Sequence, residues 1–433
     1  MKILLIGNGG RENALAWAIY NSPSFKESNS EIYATLGSPG LDLISKPVDI
    51  KPTEVDKLFN FAKENQIDLT VVGPEIPLAM GIVDEFEKHD LKIFGPTKTA
   101  SEIESSKIFS KKLMQKYNIP TAKFEAFTKY NLQDVNNYIN GLNYPIVIKA
   151  DGLAAGKGVI IAQDINEANQ TITDFTEKEV FGESGKSFIV EEFLEGYELS
   201  IFVITDGVDY VMLPSSQDHK KIGEGDTGKN TGGMGAYAPA EQFIDEELLN
   251  KIKTSVIEPA LNGLNTEGRK YKGCLYCGLM ITETIEGIRE PNVIEFNCRF
   301  GDPETQVVVP LIKSDFLQLL LSSVEGSIKD YPIEFFDKYA CCVVLASGGY
   351  PGDYEKGKVI NGLDEVGSNC LVFHAGTKLS DGNEVLTNGG RVLNVVELSS
   401  NSLKEAISNS YKNVDRIHFE NMYFRKDIGY RAL

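Results

Sequence analysis

Within Val293-Ile-Glu-Phe-Asn-Cys-Arg299 a carboxylate, an amide and a guanidinium recur at every second position. On an extended strand this period puts Glu295, Asn297 and Arg299 on one face and Ile294, Phe296, Cys298 and Phe300 on the other. A carboxylate beside an amide carbonyl is a hard-oxygen pair of the kind magnesium accepts when water and phosphate complete its shell. The arginine adds a planar fork that can grip a carboxylate with two bonds. The ordinary alternative is a solvated polar strand face. The arginine and the turn Gly301-Asp302-Pro303 that follows at once weigh against it.

A second group of residues bears on phosphate. PIVIKADGLAAGKGVII (145–161) has glycines and a lysine, but a phosphate loop of the Gly-x4-Gly-Lys-Ser/Thr type needs a hydroxyl after the lysine and a helix beyond. Here Gly152 is followed after three residues by Gly156-Lys157-Gly158, and an apolar β-branched run follows. The segment therefore reads as a glycine-rich turn between two strands. Lys149 lies among apolar neighbours on the first of them, so its charge needs an anionic partner or a route to solvent. Lys107 stands at a helix start. Further on, Val190-Glu-Glu-Phe-Leu-Glu-Gly-Tyr-Glu198 is an apolar strand ending in acids. It fits an exposed acidic connection, or backbone and carboxylate groups that read an adenine edge and ribose hydroxyls.

The elements that must position these residues are legible in outline. Residues 1 to about 100 alternate strand-like runs (KILLIG, EIYATL, DLTVVGPE, KIFGP) with amphipathic segments, the signature of an open parallel α/β sheet. Glycines follow three of these strands, where such sheets bind ligands. Gly7-Asn8-Gly9-Gly10 invites a dinucleotide reading, yet the third fingerprint glycine would fall on Glu12. A helix capped by Ser105 or Ser106 carries Phe109, Leu113 and Tyr117 on one face. From about 144 to 215 the chain is strand-rich, with a hairpin turn at Thr205-Asp206-Gly207. SQDHKKIGEGDTGKNTGGMGAY (216–237) is too polar and glycine-rich for a core and is expected to be a long, mobile binding loop. Helix is expected over 244–264 and 310–324. The last hundred residues, with a hairpin near Ser380-Asp381-Gly382-Asn383 and a helix at SLKEAISNSYKNV, form a small α+β domain.

The 433 residues suffice for roughly three domains. A net charge of −19 argues against a nucleic-acid partner, so an anionic substrate must be met by local lysines, arginines and backbone amides. No apolar run is long enough to span a membrane, and MKILLIGNGG reads as a strand entering a turn rather than a signal peptide. Six scattered cysteines fit reduced thiols. Cys274 and Cys277 have CxxC spacing, but on a strand they face opposite sides, which favours ordinary buried thiols over a metal site.

GNGGREN, VVGPEIPL, YPIVIKADGLAAGKGV, VEEFLEG, SQDHK, NTGGMGAY, EFNCRFGDPETQ, VVLASGGYPGDY and GGRVLNV follow one another over nearly the full length. In this order they resemble the phosphoribosylamine–glycine ligases of the ATP-grasp superfamily. The resemblance implies an α/β and α+β multidomain chain: an open parallel α/β domain (1–103), an ATP-grasp region (104–327) with a lid at about 121–191, and a small α+β domain (328–433). It implies ATP-dependent joining of glycine to 5-phosphoribosylamine through glycyl phosphate, with Mg2+ or Mn2+, in a cytoplasmic monomer with no membrane partner.

By the same resemblance Lys107 and Lys149 contact ATP phosphates, and the turn carrying Gly152, Gly156, Lys157 and Gly158 closes over them. Glu191, Phe193 and Leu194 frame adenine, Glu198 holds ribose, and Glu295 and Asn297 bind the metal. Arg299 is assigned to the glycine carboxylate or its acyl phosphate. Asp218, His219 and Lys220 complete the acceptor site, His219 either as a catalytic base or in a structural or hydrogen-bonding role. Asn13 and Tyr430 depart from histidines common in the family. Three rivals differ in what they require. A nicotinamide oxidoreductase would use Gly7–Gly10, a regulatory nucleotide-binding protein would not need Glu295, Asn297 and Arg299 together, and an ATP-grasp ligase of another carboxylate would differ only in substrate.

Overall fold

The computed structural model describes residues 1–153, 158–178 and 186–433. Gly156 and Lys157 lie outside the described residues.

The first hundred residues form a five-stranded parallel sheet in the spatial order Lys46–Val48, Glu31–Thr35, Lys2–Ile6, Leu69–Val72, Ile93–Phe94. Leu69–Val72 is buried throughout and Lys2–Ile6 from Ile3 onward, as expected of strands covered on both faces. The helix Gly10–Asn21 follows the first strand, and its start answers the dinucleotide question. The Gly9 amide donates to Glu12 Oε2 at 2.7 Å, so the protein's own carboxylate takes the place an anion would occupy. Gly7 and Gly73 make room for it: a Cβ on either would lie 2.6 Å from Glu12 Cγ and 2.2 Å from Glu12 Oε1 respectively.

The segment expected to form a lid is a four-stranded antiparallel sheet ordered Phe124–Thr128, Ser187–Glu192, Ile146–Ala150, Val159–Ala162. The helices Leu132–Ile139 and Ile165–Thr176 cover it, and Val135, Ile139, Ile148, Ala168 and Phe188 form a core separate from the rest. A second antiparallel sheet runs Tyr210–Met212, Tyr197–Thr205, Gly273–Glu283, Arg289–Asn297. Cys274 and Cys277 on its third strand are buried in different cores, as the strand period requires.

Two expectations need correction. Residues 216–237 are not a long loop. Gln217–Asp218 and Gly235–Ala238 pair with each other, and the second pairs with Tyr339–Ser347, the strand at the heart of the last six-stranded sheet. Lys221–Gly223 and Thr227–Asn230 make a small hairpin between them. Polar composition obscured this because the ladder is satisfied by strands far away in sequence, and Ser216, Gln217, His219 and Tyr237 are buried by that pairing. The helix expected over 310–324 is also shorter. Pro310 belongs to a single 3-10 turn, and the α-helix Phe316–Glu325 begins only after Asp315, whose side chain accepts from the Gln318 amide. Elsewhere the outline stands: Ser106 caps the helix Lys107–Lys116, and Ser402 caps Leu403–Val414.

Candidate active site

All these units meet at a cavity of about 800 Å³. The lid contributes Lys149, Gly152 and Gly158, the second sheet Glu198, Glu295 and Asn297, the first domain Arg11 and Glu75, and the last sheet Arg391.

At the lid end, three lysines converge. Lys107 Nζ donates to the Gly152 carbonyl at 2.9 Å, and burial lowers its pKa. Gly152 has φ +104, a conformation open to glycine. Asp151 Oδ1 accepts from the Ile108 amide at 3.1 Å and Ser106 Oγ at 3.2 Å, tying the start of the Lys107 helix to the glycine turn. Lys149 Nζ donates to the Ile294 carbonyl at 3.1 Å and lies 3.1 Å from Glu191 Oε1. Lys111, one helical turn after Lys107, lies 3.1 Å from the other Glu191 oxygen and is pushed down to about 8 by burial. Phe193, half exposed, and Leu194 line the wall beside them.

Asn297 Nδ2 donates to Glu295 Oε1 at 3.3 Å, so the two side chains share a face although the strand itself ends at Asn297. Burial would raise the Glu295 pKa, but Lys220 and Lys149 draw it below its usual value, keeping the carboxylate ionised. Among the described residues no group of three His, Cys, Asp or Glu side chains is placed to cage a metal. Two hard-oxygen donors on a cavity wall fit an ion that keeps water and substrate phosphates as its other ligands.

Arg299, just past the strand, is fixed by Glu104 at 2.8 Å and Glu75 at 3.3 Å. These carboxylates more than offset burial and hold the guanidinium firmly protonated. Glu104 also accepts from the Cys298 amide at 2.7 Å, which orients it. Lys220 Nζ bonds Glu198 at 2.6 Å and lies 3.5 Å from Asp218. Asp218 Oδ1 is buried, and among the described residues none donates a hydrogen bond to it. Burial, with Glu304 and Glu198 nearby, holds the Asp218 carboxyl above the usual carboxylate range although Lys220 opposes this.

The described site residues expected from sequence thus line one cavity, with two changes of emphasis. Glu191 is a counter-charge for two lysines, and Glu198 is a partner of Lys220. Lys111, Glu75, Glu104, Arg11 and Arg391 were missed. The four-residue spacing of Lys107 and Lys111 was an available signal for one of them. Glu104 gave none.

Comparison with known proteins agrees with this geometry. Family models described as the phosphoribosylglycinamide synthetase N domain, ATP-grasp (A) domain and C domain match residues 1–104, 105–305 and 340–431. The chain is 47% identical to the phosphoribosylamine–glycine ligase of Caldanaerobacter subterraneus over 99% of both chains. It is 45% identical to that of Escherichia coli K12 over 100% of this chain and 99% of the other. The crystal structure of the Thermotoga maritima phosphoribosylamine–glycine ligase superposes with a TM-score of 0.85 at 33% identity, covering 99% of this chain and 100% of that one. A biotin carboxylase from Campylobacter jejuni shares the fold, with a TM-score of 0.72 at 14% identity over 97% and 92%. The chain belongs to the phosphoribosylglycinamide synthetase family.

Proposed function

We propose that the cavity joins glycine to 5-phosphoribosylamine at the expense of ATP, giving phosphoribosylglycinamide, ADP and phosphate for purine biosynthesis. The observation that carries this reading is that Lys107, Lys149, Glu295, Asn297, Arg299, Asp218 and Lys220 line one cavity, with Lys220 and Lys149 both acting on the Glu295 carboxylate.

Glycine's carboxylate is a poor acyl donor. Its oxygen attacks the γ-phosphorus of ATP, the bond to the ADP oxygen breaks, and glycyl phosphate forms. Lys107 and Lys149 meet the phosphates as fixed cations, Phe193 and Leu194 flank adenine, and Arg299 holds the glycine carboxylate with its fork. Glu295 and Asn297 would hold Mg2+ or Mn2+, which neutralises charge on the transferring group. The amine of phosphoribosylamine then attacks the acyl carbon, the carbon–oxygen bond to phosphate breaks, and the nitrogen loses a proton. Asp218 and Lys220 orient that amine.

This chemistry depends on positioning and exclusion of water more than on a strong base. Gly152 and Gly158 line the cavity beside Lys149. The same reading puts the reaction in the cytoplasm, in a monomer. It is tested by assaying ADP release with each carboxylate in turn. Preference for a carboxylate other than glycine would overturn it.

A further inference from the structure

Beside Asp218 and Lys220 lies a charged cluster, reaching the cavity at Asp226 and Arg431, that the reaction as described does not use. Arg425 is sealed from solvent. Its Nε and Nη2 donate to the two oxygens of Asp427 at 2.8 Å each, and its Nη1 to Asp226 Oδ1 at 2.8 Å and the Lys221 carbonyl at 3.1 Å. Asp427 also accepts from the Gly225 amide at 2.8 Å. Asp226 Oδ2 accepts from Tyr430 Oη at 2.6 Å and from Arg431 Nη2, and Tyr423 Oη donates to the Ile222 carbonyl at 2.7 Å. Apart from Arg425–Asp427, each bond joins residues 422–431 to the hairpin strand Lys221–Gly223 or to the 3-10 turn Glu224–Asp226 that follows it.

His219 adds a further tie. Side chains alternate along the extended backbone, so Asp218 and Lys220 line the cavity while the imidazole turns away from it. Its Nε2 accepts from the Gly429 amide at 3.1 Å, which leaves the ring proton on Nδ1. Burial, aided by the charge of Arg425, holds the ring down to about 4, so it stays a neutral acceptor at neutral pH. Gly429 has φ +83, and a Cβ there would lie 2.5 Å from Ile407 Cδ1, so the approach of this backbone to His219 depends on glycine.

An isolated two-stranded hairpin is marginally stable in water, and the residues of this one are exposed or half-buried. Yet its two ends run into Lys220 and Thr231, both cavity-lining. The segment that pins it also brings Arg431 to the cavity wall.

We propose that residues 422–431 are a latch that holds Lys220 and Thr231 in place at the acceptor end, with His219, Asp226 and Arg425 as positioning residues and Arg431 as a direct contact for the phosphorylated amine. The assignment of the amine rests on the proposed function; the latch does not.

Arg425→Lys keeps the charge and loses the fork. Hydrogen exchange without substrate should quicken about tenfold over residues 220–231 and stay unchanged over 146–162, where the local opening is independent. In kinetics the KM for 5-phosphoribosylamine should rise about fivefold or more while those for ATP and glycine stay within about twofold. Tyr430→Phe, which removes one partly exposed donor, should give the same pattern more weakly and guards against an Arg425 variant that does not fold. Unchanged exchange over 220–231, or KM values that rise together for all three substrates, would overturn the latch. Wild-type turnover with glycine and 5-phosphoribosylamine tests the function separately.

Discussion

Lys149 and Glu191 are diagonal neighbours on paired strands of the lid, 3.1 Å apart and nearly sealed from water, and Lys111 holds the other Glu191 oxygen at the same distance. One carboxylate therefore serves two buried ammonium groups on different elements.

Glu191→Gln would leave both ammonium groups without that partner. Removing one member of a buried ion pair costs about 3 kcal/mol or more, so unfolding in urea should shift to lower concentration by that amount at neutral pH. Burial already lowers Lys111 to about 8. Glu191 opposes that lowering, so without it Lys111 gives up its proton at still lower pH, and the deficit should shrink as the pH is raised toward about 8. A deficit that grows with pH would contradict the assignment.

Asp218 carries the opposite sign. Burial and its acidic neighbours raise its pKa, so the folded state holds the proton more tightly and its contribution to stability is lost as pH rises through the raised value. Asp218→Asn cannot ionise. Its stability relative to wild type should improve by on the order of 1–2 kcal/mol between about pH 5 and pH 8, read from thermal unfolding. A relative loss over that range would contradict it.

Glu295→Gln keeps the shape of the side chain and removes its charge. Turnover should fall by about a hundredfold or more, because a metal clamp contributes several kcal/mol to phosphoryl transfer, while circular dichroism still reports a folded chain. Activity and metal dependence equal to wild type would remove Glu295 from the metal site.

The contrast between these residues shows what sequence could reveal. Lys149 stood out because a charge between Ile148 and Ala150 demands a partner, and Glu295 and Asn297 because period two needs no knowledge of tertiary structure. Glu191 as that partner was not legible, since Lys111 and Lys149 reach it from separate elements. Arg299 was legible as a gripping group, but its supports were not: Glu75 lies 224 residues away in sequence. The ladder through 217–218 and 235–238 was hidden for the same reason, because its pairing strand begins at Tyr339. Local period and composition report the face a residue takes; the charge that answers it comes from the fold.

The most direct test of the central claim is ADP release measured with purified chain, ATP, magnesium, glycine and freshly made 5-phosphoribosylamine, omitting one component at a time. Sustained release is expected only when both glycine and 5-phosphoribosylamine are present, with phosphoribosylglycinamide formed in equal amount. Equal release when either is omitted, or ligation of another carboxylate in preference to glycine, would contradict it.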